Sequence, residues 1–116
     1  MPSPLARPAP LDLDVQRSEE RTLVTVSGEL DAATASCLYD RLAELEMEGV
    51  TNVVLDLARL NFMDSTGLGA IVTEHKRVQR VGGSLTIFSP SSPVRRLFEI
   101  TGLTHLLDIQ PANDEP

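Results

Sequence analysis

Asn61-Phe62-Met63-Asp64-Ser65-Thr66-Gly67-Leu68-Gly69 joins two kinds of structure within nine residues. An apolar β-like run stops at a carboxylate, two hydroxyls and two glycines. An amphipathic stretch follows, read as a helix from Thr66 to about Arg80, with Leu68, Ile71, Val72, His75 and Val78 on one side and Glu74, Lys76, Arg77 and Arg80 largely on others. Gly82-Gly83 is placed to end it. Ser65 therefore stands at a helix entrance, where unpaired backbone N–H groups and the positive end of the helix dipole tolerate a negative group on a hydroxyl. This makes Ser65 a candidate phosphorylation switch. Asp64-Ser65-Thr66 is also ordinary N-cap chemistry, and the two readings are compatible.

Working towards the N-terminus, Val53-Val54-Leu55-Asp56-Leu57 is a near-continuous apolar run, the pattern of a central strand buried on both faces. Before it, Ala35, Leu38, Leu42 and Leu45 recur at helical spacing, with Asp31 where an N-cap belongs and Gly49 where the helix should end. Leu11 to Val15 and Thr22 to Gly28 alternate with period two around a polar turn, which predicts an antiparallel hairpin. Towards the C-terminus, Leu85 to Phe88 supplies a strand, Ser92-Pro93 starts a third helix, and Leu106 to Ile109 is a short last strand or extended segment. The order β-β-α-β-α-β-α(-β) predicts an α/β domain whose later strands are parallel and joined by right-handed crossovers.

Composition narrows the function. The 116 residues suit one domain, read over residues 11–110, between a Pro-rich tail at 1–10 and a polar tail at 111–116, both expected to be disordered. Ten basic against seventeen acidic residues give a net charge of −7, which disfavours direct nucleic-acid binding. No stretch approaches the roughly 18 apolar residues that would span a membrane, so no membrane insertion is expected and the chain reads as cytoplasmic. The lone Cys37 has no Cys/His cluster around it, so no metal site is expected, and it reads as a small apolar or half-buried helix residue.

Catalysis is poorly signalled. A nucleophile elbow at Ser65 would need glycine where Met63 stands, and His75 is about 15 Å along a straight helix at 1.5 Å per residue. A P-loop lacks its Lys-Ser/Thr, and the dinucleotide fingerprint lacks its third glycine, where Val72 stands. No catalytic residue and no cofactor are assigned. Gly67 and Gly69 have two readings, close packing of the helix start against a neighbouring strand or clearance for a partner surface.

Asp64-Ser65-Thr66-Gly67-Leu68-Gly69 resembles the signature of the STAS domain, in its branch of bacterial anti-sigma factor antagonists. Gly28-Glu29-Leu30-Asp31 is a second match, and a third runs from Gly82-Gly83 through Ser89-Pro90 to Val94-Arg95-Arg96-Leu97-Phe98 and Thr101-Gly102-Leu103. The resemblance implies a small mixed sheet with helices packed mainly on one face. It also implies a partner-switching phosphoprotein that regulates sigma-factor-dependent transcription, in stress response or sporulation. Ser65 would be the phosphoacceptor, with Thr66 the alternative, and Asp31, Asp64, Ser65, Thr66, Gly67 and Leu68 would meet the partner. That partner would be an anti-sigma factor serine kinase that binds the ATP itself, with a serine phosphatase to reset phospho-Ser65. A constitutive scaffolding subunit of a lipid-transport or stress-signalling complex is the other reading. An exposed edge in the first hairpin permits a weak homodimer without requiring one.

Overall fold

β1 (Leu11–Arg17) and β2 (Thr22–Leu30) form the expected antiparallel hairpin in the computed structural model, which describes residues 11–111. The tails read as disordered, apart from Pro111, lie outside the described residues. Alternation sorts the hairpin's side chains: Leu13 lies opposite Val26 and Val15 opposite Val24, whereas Asp14 faces Thr25 and Asp12 faces Ser27. The apolar set points to the core and the polar set away from it.

The chain continues through α1 (Ala35–Met47), β3 (Asn52–Asp56), β4 (Leu60–Met63), α2 (Ser65–Arg80), β5 (Ser84–Phe88), α3 (Ser92–Ile100), a 3-10 turn at Leu103–His105 and β6 (Asp108–Gln110). The sheet order is β1-β2-β3-β5-β6, which puts β3 at the centre as its apolar run predicts. The strands β2, β3, β5 and β6 are parallel, and each helical connection steps in the same direction across the sheet. Right-handed crossovers that all step one way put their helices on one face. The burial pattern agrees: Val24, Val26, Val53, Leu55, Leu85 and Ile87 are buried beneath the helices, while Leu23, Val54, Thr86 and Phe88 on the other face stay partly exposed.

Leu38, Leu42 and Leu45 of α1, Ile71 and Val78 of α2, and Val94 and Phe98 of α3 close the core, each contributing about 1.5–3 kcal/mol. Gly49 ends α1 at φ +89°, donating to the Glu46 carbonyl at 2.9 Å while Val50 donates to Leu45 at 3.0 Å. Gly82-Gly83 ends α2 through the same pair of bonds, to Gln79 at 3.2 Å and Val78 at 2.7 Å.

Outside the Asp31 turn, three local features differ from the sequence reading. The apolar run before Asp64 is a strand of its own, β4, which takes over the parallel pairing with β2 beyond a register shift at Gly28 and Glu29. It has only four residues and one strand partner, so little in its pattern separates it from a loop. The third helix begins one residue early, with Ser91 at the N-cap, and the Ser91 hydroxyl donates to the Leu60 carbonyl at 2.5 Å instead of accepting from the helix. Cys37 is exposed on α1 instead of half-buried. Among the described residues no helix is long and apolar enough to cross a membrane.

Candidate functional site

Because β2, β4 and β5 run parallel, the turns that follow them gather at one end of the sheet, the end where open α/β folds present their binding crevices. The turn after β4 carries Asp64 and Ser65. Asp64 is in extended backbone conformation, and its Oδ1 accepts from the Thr66 amide at 2.9 Å and the Gly67 amide at 3.0 Å. It is thus the N-cap of α2, as its residue type predicts, and it satisfies two of the helix's free donors. Ser65 is the first residue of α2 and is exposed, as is Thr66. Among the described residues the Ser65 hydroxyl has no hydrogen-bond partner.

Gly67 and Leu68 lie beneath this surface. Leu68 belongs to the hydrophobic core, and Gly67 is buried against Leu30, where an added Cβ would stand 2.7 Å from both the Leu30 Cγ and its carbonyl oxygen. Both residues support the surface from below, and a direct meeting with a partner does not fit their burial. Gly69 differs: it is exposed, and a Cβ there would meet nothing within 4 Å.

The turn after β2 is fastened to the same place. The Asp64 amide donates to the Leu30 carbonyl at 3.1 Å, so the residue before Asp31 is tied to the residue before Ser65. Asp31 is not the N-cap of α1. Its Oδ1 accepts from the Ala33 amide at 3.0 Å and the Thr34 amide at 3.2 Å, closing a turn, and α1 starts only at Ala35 with Thr34 at the cap. The Thr34 hydroxyl is held inside that turn, donating to the Glu29 carbonyl at 2.8 Å and accepting from the Asp31 amide at 3.0 Å. The structure thus brings Asp31, Asp64, Ser65 and Thr66 together at one end of the sheet.

Phe62 joins that surface without having been singled out in the sequence. It pairs with Glu29 across β4 and β2 and is 46% exposed, while its neighbours Leu60 and Met63 are buried. The available signal was its place as the outward member of an apolar run. His75 is buried on α2, and neither ring nitrogen has a hydrogen-bond partner among the described residues. Among the described residues there is no group of three or more His, Cys, Asp or Glu able to hold a metal.

One perturbed group lies farther along α2. Burial pushes the Glu74 carboxyl above its ordinary range, and its hydrogen bond and charge pairing with Arg77 act against that shift. Arg77 also pairs with Glu46 of α1 at 3.0 Å and donates to the Leu42 carbonyl at 3.3 Å, so this cluster ties α2 to α1.

Comparison with known proteins agrees with this architecture. The STAS domain model matches residues 12–115. The anti-sigma-B factor antagonist of Bacillus subtilis is 36% identical over 104 residues, covering 90% of this chain and 94% of the relative. The crystal structure of an anti-sigma factor antagonist from Mycobacterium paratuberculosis superposes with a TM-score of 0.81 at 24% identity, covering 95% of this chain and 93% of that one. The anti-sigma factor antagonist SpoIIAA is similar in both its unphosphorylated form (TM-score 0.69, 23% identity, 90% of each chain) and its phosphorylated form (0.68, 24%, 84% and 90%). With a family match over nearly its whole length and a relative of that identity, the chain belongs to the STAS domain family.

Proposed function

We propose that this protein is an anti-sigma factor antagonist whose grip on its partner is set by phosphorylation of Ser65. The observation that carries the reading is Ser65 itself: an exposed serine whose hydroxyl has no hydrogen-bond partner among the described residues, first in α2 and directly after Asp64, whose amide is bonded to the Leu30 carbonyl beside the Asp31 turn. The names of its relatives, and the existence of SpoIIAA in both phosphorylation states, support it. Unmodified, the chain binds a serine-kinase anti-sigma factor, which brings the ATP and transfers a phosphoryl group to Ser65. A serine phosphatase restores the hydroxyl. The chain serves as ligand and substrate, and His75, buried and remote, offers Ser65 no base.

The physical effect falls on the interface. A phosphate brings about −1.5 to −2 charges at neutral pH, and it arrives beside Asp64, whose carboxylate already occupies the Thr66 and Gly67 amides. Two unit charges at 4 Å interact by about 1 kcal/mol in water and about 4 at an effective dielectric of 20. With the desolvation of a docked phosphate added, partner affinity falls about 10²- to 10³-fold, or 3 to 4 kcal/mol. The test is calorimetric titration of the host's kinase-type anti-sigma factor with wild type, Ser65→Ala and Ser65→Asp. Binding retained by the alanine variant and weakened in the aspartate variant supports the switch. Equal binding by all three turns the reading towards a constitutive scaffolding module.

A further inference from the structure

The two glycines of the α2 entrance have different physical causes. Gly67 is accounted for by Leu30, which leaves no room for a Cβ. Gly69 has no such cause: it is not among the positive-φ residues, a Cβ would touch nothing within 4 Å, and it sits within a regular helix where glycine is a poor choice relative to alanine. The fold would be better served by almost any other residue there.

Its position relative to Ser65 supplies the missing reason. Residues four apart share a helix face, and helical side chains lean back towards the N-terminus, so a side chain at 69 covers the surface one turn before it. That surface is Ser65. The other near neighbour along the helix, Leu68, is turned into the core. Position 69 is therefore where a side chain would roof the Ser65 hydroxyl.

We propose that Gly69 is a specificity-determining clearance position: its missing side chain lets the rim of the anti-sigma factor's kinase site seat on the first two turns of α2, directly over Ser65. This rests on the phosphoacceptor reading of Ser65 and adds the direction of approach, along the exposed side of α2. Phosphoryl transfer demands close access to the hydroxyl, because the reacting oxygen has to come within about 3–3.5 Å of the phosphorus, and a kinase site is concave. A side chain beside the hydroxyl would strike the rim first.

The test compares wild type, Ser65→Asp, Gly69→Ala, Gly69→Leu and Gln79→Leu. Each is titrated with the host's purified kinase-type anti-sigma factor loaded with a non-hydrolysable ATP analogue, and each is melted alone. Gln79 is exposed near the far end of the same helix and serves as the control. Gly69→Leu should raise the melting midpoint by a few degrees yet weaken binding about tenfold or more, as an extra side chain does in a close-packed contact. Gly69→Ala should show the same two signs with a smaller binding loss, and Gln79→Leu should bind as wild type. If Ser65→Asp is weakened while Gly69→Leu binds as wild type, the clearance role is overturned and the switch stands. If Gly69→Leu is weakened while Ser65→Asp is not, the partner does seat on this face and the switch is overturned. If neither is weakened, both fail.

Discussion

The entrances of α1 and α2 are written in similar residues, Asp-Ala-Ala-Thr at 31–34 and Asp-Ser-Thr-Gly at 64–67, and they fold differently. At α2 the aspartate caps the helix directly, and the serine after it becomes the first helical residue with its hydroxyl outward. At α1 the aspartate closes a separate turn, Thr34 turns its hydroxyl inward to Glu29, and the helix starts later with no side-chain cap. One entrance presents a hydroxyl and the other buries one: Thr34 is 3% exposed. An outward hydroxyl at α2 is what the proposed modification needs, while the α1 turn holds its own hydroxyl in hydrogen bonds to Glu29 and Asp31.

The harshest way to break this arrangement is to separate the two loops at their shared point, Leu30. Gly67→Ala forces a Cβ to 2.7 Å from the Leu30 carbonyl oxygen, a backbone atom that cannot rotate away. The expected cost is about 1–3 kcal/mol, the range for overpacking, measured by urea denaturation. Exchange of the Asp64 amide, bonded to that same carbonyl, should quicken beyond what global destabilisation explains. A variant as stable as wild type would mean that α2 can slide on Leu30 and that the loops are not one body.

A gentler cut distinguishes the two aspartates. Asp64→Ala removes the acceptor for two helix amides, an N-cap loss of about 0.5–2 kcal/mol. Amide exchange should rise at Thr66 and Gly67. Asp31→Ala should cost less, because the Ala35 and Thr34 amides still reach the Asp31 backbone carbonyl at 2.8 and 3.1 Å, and its exchange signature should stay at Ala33 and Thr34. Equal losses, or fraying of α1 as a whole on Asp31→Ala, would restore Asp31 as a helix cap.

How far the sequence disclosed this follows from the range of the interactions. Period-two alternation, helical spacing and glycine stops act within a few residues, so the hairpin, the three helices and the central strand were legible. Asp64 was legible as a cap because its partners are the next two amides in line. Asp31 misled because the competing acceptor for Thr34, the Glu29 carbonyl, depends on how the chain doubles back. The two glycines read alike because the atom that separates them, in Leu30, is distant in sequence. Phe62 was overlooked because β4's outward face is defined only by its pairing with β2.

The smallest expected effect sharpens the comparison from the far side of the helices, where Glu74, Arg77 and Glu46 tie α2 to α1. Burial raises the Glu74 carboxyl above 4.5 in the folded protein, against the opposing pull of Arg77. Over the window from about 4.5 up through that raised value, the folded chain holds a proton that the unfolded chain has lost. This group's contribution to stability is therefore full below 4.5 and declines as pH rises through the window. Glu74→Gln cannot titrate, and Arg77 keeps Glu46 and the Leu42 carbonyl as partners. Urea titrations at pH 4.5, 6 and 7.5 should show the stability of Glu74→Gln, relative to wild type, rising with pH. The binding of the anti-sigma factor should follow the same trend only weakly, since the α2 and α1 entrances are also fastened at Leu30. A relative stability that falls with pH would mean that Arg77 overcomes the burial of Glu74, making the ion pair a clamp between the helices instead of a tolerated charge.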